Sequence, residues 1–511
     1  MSRPLVLLAL AVFAVLGLAP VGVMALRVGA EDLERLLDAR TLSLLGRTLG
    51  LGLSTAGLAL LVGGPFGWLV ARSDVFGRSV LRPLGIVPLL LPALMLAITF
   101  TVLSDLRGAP ATVLVMAANT FPLVALFVAR AAERVDARRE EAALMSGGLG
   151  AVVRMELPLL LPPALCGACL AFVFAINDFA VPDYVSAVGP KFNVYADEVF
   201  ARWQTDQRAG SAVAAALPLV ALTVLALVPA LRLRRKGALA TVDSDFRAPT
   251  TLRLGAWRWP LSIACALLVF VTVGMPLGRL VWEAGGGPRG WSTEALTAAF
   301  SRALELARAN IGSSLGFAVA AAFCAVPLGL VLGHAIERSR RGGWLELLLI
   351  VPFAVPAILF GIGNISIWNR DTTAALYDSG WMVVLLFVGR FAIFPVLAAS
   401  ASVAAVDKRL EEAAELSGTK PARRLVSIVA PQVRPALFGA WTAVFVLAMR
   451  ELDAAILVPA ANKAVMFRVY NAVHFGRDDF VAALCLLVVF FILLPALLWT
   501  VFGGRRLEVL P

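Results

Sequence analysis

The chain has 511 residues, of which 60% are hydrophobic and 15% are charged, and its mean hydropathy is +0.86. This composition excludes an ordinary water-soluble globular protein, because such proteins carry far more charged residues on their surfaces. A formal net charge of +11 would suit a nucleic-acid-binding protein, unless the basic residues are placed for another reason.

Twelve apolar stretches are long enough to cross a bilayer as helices, since about 20 residues span its hydrocarbon core. The predicted spans of the first half are 4–26, 48–71, 83–103, 110–132, 159–177 and 211–231. Those of the second half are 260–282, 309–336, 345–364, 381–404, 435–449 and 480–502. The first stretch follows Arg3 and also fits a cleaved signal peptide, but an equivalent stretch follows Arg258, so we interpret it as a span.

Basic residues are concentrated in alternate loops. If the N-terminus lies inside, the inner segments contain 25 Lys and Arg residues and the outer segments contain 16. The positive-inside rule therefore predicts that both termini are cytoplasmic. Because membrane topology accounts for the basic charge, we expect the chain to lie in a lipid bilayer and not to bind nucleic acid.

All five cysteines lie in apolar stretches, so the sequence predicts no disulfide framework. Cys166 and Cys169 form a C-x-x-C pair, but they are flanked by small residues inside a predicted membrane helix. We interpret them as small packing residues and not as a redox or metal pair.

The second half of the chain repeats the first. VDARREEAALMSG at 135–147 corresponds to VDKRLEEAAELSG at 406–418, and two shorter words recur at similar offsets. Six spans in each half is an even number, which predicts two parallel repeats related by an axis along the membrane normal. We predict repeats at 1–240 and 241–511, with the basic segment 232–259 as an exposed linker.

The repeated word predicts a short helix before the fifth span of each half. Asp136 and Asp407 are placed to act as N-caps, since a carboxylate there accepts hydrogen bonds from free N–H groups. The Glu-Ala-Ala residues add little bulk, so another protein can approach closely. Gly147 and Gly418 permit a sharp turn at the helix end, where positive φ favours glycine.

These words resemble the EAA loop of binding-protein-dependent ABC transporter permeases, in which EAA is followed by three residues, Gly, nine residues and I-x-L-P. The second copy reads EAAELSG at 412–418 and IVAP at 428–431, with Ala430 in place of Leu. The first reads EAALMSG at 141–147 and MELP at 155–158, and its spacing is two residues shorter. The fused arrangement of two such loops is similar to that of ferric-iron-type permeases.

The resemblance implies an all-α membrane protein of the bacterial inner membrane with the type I ABC importer fold. It also implies that the loops 133–158 and 405–433 form coupling helices, which dock into a cytoplasmic dimer of ABC ATPase subunits carrying ATP and Mg. By matching positions, the coupling residues are Glu141, Ala142, Ala143, Gly147, Glu412, Ala413, Ala414 and Gly418.

Catalytic motifs are absent from the sequence. No G-x-x-x-x-G-K-[ST] phosphate loop occurs, and the two histidines, His334 and His474, belong to no zinc or hydrolase motif. We therefore expect a transport subunit that depends on a partner for ATP hydrolysis. Two other classes stay open, namely a secondary transporter with six-plus-six repeats and an integral-membrane enzyme.

Two positions inside predicted spans are candidates for the substrate pathway. Arg390 lies within GRFAIFP, and Asn119 occupies the corresponding place in the first half. Because a charge within a span is costly, Arg390 either lines a pathway or is a buried residue satisfied by carbonyl groups.

Acidic residues lie at matching outer ends of the fifth and eleventh spans. Asp178 and Glu451 correspond, with Asp183 and Asp453 nearby, and all four tyrosines lie in predicted outer segments. Carboxylate and phenolate oxygens suit a hard cation such as ferric iron, although an aromatic belt with ordinary polar loops explains them equally. The resemblance implies iron delivered by an extracytoplasmic binding protein, with thiamine, phosphonate and polyamines as alternatives.

Overall fold

The computed structural model of the chain describes residues 3–27, 29, 38–206, 209–239, 246–287, 290–339, 342–454, 456–458, 463–474 and 478–502. The chain divides into two compact units. The first-half unit comprises Arg35–Glu198 and Leu217–Leu280, and the second-half unit comprises Met1–Glu34, Val199–Ala216 and Val281–Pro511.

Helices build nearly all of the first-half unit. They are Ala39–Arg72, Arg78–Leu84, Val87–Leu90, Ala93–Leu103, Gly108–Ala132, Ala137–Asn177, Ala180–Val188, Gly255–Trp257 (3-10), Arg258–Val269, Phe270–Gly274 (π) and Met275–Ala284, the last of which continues beyond Leu280. Two further helices, Tyr195–Asp206 and Ala209–Leu239, contribute residues to both units.

The second-half unit is also helical apart from one short antiparallel pair of strands, Gly286–Gly287 and Gly290–Trp291. Its N-terminal helices are Arg3–Phe13, Ala14–Leu18 (π) and Ala19–Ala25. The others are Thr293–Arg338, Gly342–Leu349, Val351–Ala354, Ala357–Trp368, Asp371–Thr373 (3-10), Ala374–Tyr377, Gly380–Phe391, Ile393–Ala404, Lys408–Leu416, Pro421–Arg424, Leu425–Val429 (π), Ala430–Gln432, Arg434–Arg450, Val465–His474 and Asp478–Phe502.

Within the described residues, eight helices are long and apolar enough to cross a membrane, and up to twelve spans result if each bent pair counts as one. The bent pairs are Arg78–Leu90 with Ala93–Leu103 (100°), Gly342–Ala354 with Ala357–Trp368 (93°), Asp371–Tyr377 with Gly380–Phe391 (87°) and Pro421–Gln432 with Arg434–Arg450 (85°). This agrees with the predicted all-α membrane fold of about twelve spans.

Proline explains the break in two of these spans. Leu91 and Val355 precede Pro92 and Pro356, and their ψ angles of 140° and 136° are extended. The proline ring disfavours helical geometry in the residue before it, so the helix ends there. The carbonyl groups that each break frees then need donors from elsewhere, because lipid offers none.

The N-terminal helix lies in the second-half unit, and its backbone makes close contacts there. A Cβ atom added to Gly389 would lie 2.2 Å from the carbonyl oxygen of Leu16, so only glycine allows this approach. Small residues of this kind let membrane helices associate through dispersion contacts. The first helix of each sequence half therefore belongs to the compact unit built mainly from the other half. The repeat boundaries at 1–240 and 241–511 stay a prediction.

The expectation that 232–259 is an exposed linker is confirmed for most of residues 246–259, which are exposed, but not for two buried leucines. Residues up to Leu239 continue a helix, and Leu252 and Leu254 are 3% and 5% exposed. Their apolar side chains are buried in the first-half unit, which fixes the backbone around them. Residues 240–245 lie outside the described part of the chain.

Candidate functional site

Each EAA word lies on a short helix that begins after an aspartate. The side chain of Asp136 accepts a hydrogen bond of 2.8 Å from the backbone N–H two residues further on, and Asp407 accepts one of 2.9 Å. These carboxylates satisfy N–H groups that have no partner within the helix, as predicted for N-caps. We refer to residues 137–146 and Lys408–Leu416 as the first and second coupling helices.

The two coupling helices end in different turns. Gly418 has a φ of 75°, the left-handed conformation expected there. In the first loop the expectation for Gly147 is wrong, because its φ is −175° and the left-handed residue is Gly148, with a φ of 65°. The first loop has two successive glycines and a shorter spacing, so its turn falls one residue later.

Most of the predicted coupling residues lie at the surface of their unit. The exposed ones are Glu141, Ala142, Gly147, Glu412, Ala413 and Gly418, whereas Ala414 is half-buried and Ala143 is buried. Both helices therefore present one glutamate and one small side chain outward at matching positions. Such a surface permits close approach by another protein.

An exposed apolar side chain stands at the end of each coupling helix. Met145 and Leu416 are each 90% exposed and occupy corresponding positions in the repeated word. An apolar residue that no part of its own unit covers is typical of an interaction surface when it recurs beside charged and small residues. Sequence reasoning missed this pair, although the two positions are apolar in both copies.

The first glutamate of each Glu-Glu pair points into the protein. In the first-half unit, Arg72 donates to Glu140 at 2.5 Å, and both side chains are no more than 3% exposed. In the second-half unit, Arg338 contacts Glu411 at 2.9 Å, and His334 lies 2.7 Å from the same carboxylate. An ion pair thus joins each coupling helix to the last residue of a membrane helix.

The two arginines occupy equivalent places in the chain. Arg72 ends helix Ala39–Arg72 and Arg338 ends helix Thr293–Arg338, and each is followed by a serine. The sequence analysis did not identify them. The signal available was the Arg-Ser pair, which recurs 266 residues apart before the broken span of each half.

A second buried carboxylate accompanies the first ion pair. Glu156 is fully buried and accepts a hydrogen bond from the indole N–H of Trp68. Within the described part of the chain, Arg72 Nε, Glu140 Oε1 and Glu156 Oε1 are buried without a hydrogen-bond partner. Because these polar atoms are buried and unpaired, we expect the stability of the cluster to fall if any of its residues is replaced.

Glu411 carries a charge that its neighbours stabilise. Burial by itself would raise the pKa of the carboxyl, but the hydrogen bonds of His334 and Arg338 and the positive charge of Arg338 outweigh it, so the pKa is lowered. Glu411 therefore stays ionised at neutral pH, and the contact with Arg338 is a true ion pair.

Asn119 and Arg390 both bind carbonyl groups at the proline breaks. Asn119 donates to the carbonyl oxygens of Pro88 and Leu91 at 2.6 and 3.0 Å. Arg390 donates to that of Val355 at 3.2 Å and lies 6.0 Å from the centre of the Phe353 ring. Arg390 thus has a carbonyl partner, but its Nε is buried without a hydrogen-bond partner, so both interpretations of Arg390 and a pathway role for Asn119 stay predictions.

The outer carboxylates Asp178 and Glu451 also have a common role. Each accepts a hydrogen bond from the backbone N–H three residues further on, at 2.9 Å to Val181 and 2.8 Å to Ala454. They therefore cap the turn that follows a membrane helix. Asp453 lies in the same turn, and a role of these three residues in the substrate pathway stays a prediction.

Sequence reasoning missed one acidic residue near Asp178 and Asp183. Asp197 is partly buried, and burial followed by the charges of Asp183 and Asp178 raises its pKa to about 7, although the N–H of Val194 opposes this. Within the described residues, no group of three or more His, Cys, Asp or Glu side chains could hold a metal ion. Asp178, Asp183 and Asp197 lie close enough to interact electrostatically, and the expected acidic mouth stays a prediction.

A family model matches the chain twice, once in each half. The model describes the inner membrane component of binding-protein-dependent transport systems, and it covers residues 63–227 and 325–508. The chain belongs to this family. It is a fused ABC permease of the inner membrane, and each match includes one coupling helix.

Known permeases are similar to the chain at low identity. The Fe(3+)-transport system permease protein FbpB 2 of Haemophilus influenzae is 22% identical over 84% of the chain and 83% of its own length. The ferric transport system permease protein FbpB of Actinobacillus pleuropneumoniae is 29% identical over 29% of the chain. The putrescine transport system permease protein PotI of Escherichia coli is 25% identical over 35% of the chain and 66% of its own length.

The extent of these matches differs widely. The chain spans only 22% of the length of two ferric permeases that it matches, one of them that of Actinobacillus pleuropneumoniae. The similarity therefore supports transport by a permease and leaves the substrate to be established.

Proposed function

We propose that the two coupling helices receive the motion of a cytoplasmic ATPase dimer and transmit it to the membrane helices. The observation that carries this proposal is the matched pair of surfaces, each with an outward glutamate, small neighbours and an exposed apolar tip. The ion pairs of Glu140 and Glu411 would pass a push on either helix to the end of a long membrane helix. ATP and Mg would be bound by the partner.

Charge would set the orientation of the contact. We expect Glu141 and Glu412 to face basic groups on the ATPase, because opposite charges fix register at a small interface. Met145 and Leu416 would be covered by apolar residues of the same partner, since removing their exposed apolar surface from water is favourable. The contact would then depend on charge for its geometry and on burial for its strength.

The double substitution of Glu141 and Glu412 by Lys tests this proposal. We expect ATP hydrolysis by the reconstituted complex to continue while substrate uptake falls at least about tenfold, the effect of losing roughly 1.4 kcal/mol of coupling. The measurement is uptake and ATP hydrolysis in proteoliposomes that contain the chain and its co-encoded ATPase. Uptake that does not depend on the ATPase would instead indicate a secondary transporter.

Glu294 and Glu305 provide a matched control. Both are exposed residues of helix Thr293–Arg338 on the predicted outer side, and replacing both by Lys makes the same change in charge. That variant should keep its coupling of hydrolysis to uptake. Normal transport by the Glu141 and Glu412 variant would refute the proposal.

Ferric iron delivered by an extracytoplasmic binding protein is the substrate that we propose. Support comes from the ferric permease of Haemophilus influenzae, which matches 84% of the chain. Carboxylates at the outer ends of the membrane helices are compatible with a hard trivalent cation that moves past them. Iron is here the cargo, and we assign no resident metal to the chain.

Polyamine import is the second candidate, because the putrescine permease of Escherichia coli matches 35% of the chain. A polyamine is also a cation, so the same carboxylates suit it. Uptake of radiolabelled ferric iron and putrescine should be compared in a strain that lacks the gene. Restoration of putrescine uptake alone would overturn the assignment of iron.

A further inference from the structure

The segment between the two halves is bound to the first coupling site. Residues 246–254, which we call the strap, run beside the end of helix Ala39–Arg72. The N–H of Leu252 donates to the carbonyl of Arg72 at 2.8 Å, and the N–H of Asp74 donates to the carbonyl of Leu252 at 3.0 Å. These two hydrogen bonds fix the strap at the residue that holds Glu140.

The strap also contacts the first coupling helix directly. Its carbonyl at Arg247 accepts a hydrogen bond of 3.0 Å from the N–H of Ala137, the first residue of that helix. The side chain of Arg247 lies 3.2 Å from Glu141, one of the predicted coupling residues. Both side chains are at least half exposed, so this ion pair sets orientation more than it adds stability.

Leu252 completes the apolar core beneath the first coupling helix. It is 3% exposed and clusters with Ala143 and Val152, with Trp68 and Met155 packed around them. Ala143 belongs to the EAA word itself and is 8% exposed. We call residues 137–158 and 408–431 the first and second coupling hairpins. Leu252, which lies outside the first hairpin, therefore packs against both of its arms.

An ion pair joins the two arms of the second coupling hairpin. Arg424, on its returning arm, donates to Glu415 of the second coupling helix at 2.5 Å. Aligning the two loops on Pro158 and Pro431 puts Ala151 where Arg424 stands, so the matching position of the first loop cannot make this ion pair. The first loop is two residues shorter, and Arg247 of the strap reaches its coupling helix instead.

We propose that the strap is a positioning element of the first coupling site, with Leu252 and Arg247 as its positioning residues. The two coupling sites are then not equivalent, because the first is held by the segment between the halves, whereas the second packs on Leu330 and Leu5 of other helices. A partner would meet Glu141 beside a fixed arginine. The consequence for transport rests on the proposed docking of the ATPase, whereas the positioning itself does not.

Cysteine accessibility tests the positioning without any ATPase. In a background whose five native cysteines are replaced by Ala, Ala143→Cys and Val429→Cys report on the first and second hairpins, and both positions are buried. Leu252→Ala should speed maleimide labelling at position 143 about tenfold in inside-out vesicles, because truncating a buried leucine loosens its neighbours. Labelling at position 429 should stay unchanged, which also shows that the variant is folded.

Charge reversal tests the orienting contact through transport. Arg247→Glu should lower the uptake obtained per ATP about threefold, because it places a negative charge beside Glu141, whereas Arg247→Lys and the exposed strap variant Arg253→Glu should leave it unchanged. Faster labelling at position 143 together with unchanged transport would keep the positioning role and overturn the docking function of the first hairpin. Unchanged labelling at position 143 in both Leu252→Ala and a deletion of 247–252 would overturn the positioning role.

Discussion

Neighbouring glutamates in each coupling helix have different surroundings. Successive residues of an α-helix point about 100° apart, so a helix that turns one glutamate inward turns the next one away. Glu140 and Glu411 are held by arginine, and Glu141 and Glu412 are exposed. The motif identifies the exposed glutamates from the sequence. It does not reveal the inward pair, because their partners lie about 70 residues earlier in the chain.

At the same scale, burial and neighbouring carboxylates disfavour the charge of Asp197. Its pKa of about 7 exceeds the ordinary value of 3.8, so the folded protein holds a proton that the unfolded chain has lost between these limits. The contribution of this residue to stability is complete below pH 3.8 and falls as the pH rises toward 7. The folded state is thus destabilised by Asp197 at alkaline pH.

Asp197→Asn should stabilise the protein at pH 8 and have little effect at pH 4. Because the amide resembles the protonated acid, the gain should raise Tm at pH 8 by on the order of 5 °C. Thermal unfolding of the detergent-solubilised chain at both pH values measures it. The exposed Asp105→Asn serves as the control and should shift Tm little at either pH. Equal shifts for Asp197→Asn at both pH values would contradict this explanation.

At the scale of elements, the proline breaks link sequence to structure. Just before Pro92 and Pro356 the backbone is extended, since proline disfavours helical geometry in the residue that precedes it. The donors that satisfy the freed carbonyls, Asn119 and Arg390, come from another helix. Their equivalence in the repeat is visible in the sequence, but their role depends on how the helices pack.

The ion pair between Arg72 and Glu140 joins the first coupling helix to a membrane helix. Glu140→Gln leaves a buried guanidinium without its countercharge and should destabilise the first-half unit by about 3 kcal/mol or more. The measurement is denaturant unfolding in detergent, followed by tryptophan fluorescence from Trp68 beside the site. Because position 140 faces inward, we also expect uptake to decline while ATPase binding persists.

An exposed pair provides the contrast. Arg302 and Asp479 lie 2.9 Å apart, but their side chains are 53% and 38% exposed. Asp479→Asn should therefore change the free energy of unfolding by no more than about 1 kcal/mol. Similar losses for Glu140→Gln and Asp479→Asn would show that burial does not decide the strength of these pairs.

At the scale of the whole molecule, the repeat and the compact units do not coincide. The sequence divides near 240, yet the N-terminal helix Arg3–Ala25 belongs to the unit built mainly from the second half. Close backbone contacts, such as that between Gly389 and Leu16, decide this. Periodicity and hydropathy contain no information about which unit a span joins.

The orientation of the chain in the membrane is predicted from its basic loops and can be tested by cysteine labelling. In a cysteine-free background, Met145→Cys and Leu416→Cys should react with an impermeant maleimide in inside-out vesicles and not in intact spheroplasts, because both lie in predicted inner loops and are 90% exposed. Asn369→Cys, in the predicted outer segment 365–380, should show the opposite pattern. Labelling of either coupling helix from outside would reverse the orientation and remove the ATPase from consideration.

The sequence by itself determined the membrane class, about twelve spans, the internal repeat and the two EAA words, because each depends on local composition or on order along the chain. Only the tertiary structure decided which glutamate is paired, which donors cap the proline breaks and where the strap lies. The burial of Leu252 within a largely exposed linker could not be predicted for this reason, since it depends on contacts with Ala143 and Val152, which are distant in the chain. Contacts between residues far apart in the chain arise from packing, and packing leaves no regular period in the sequence.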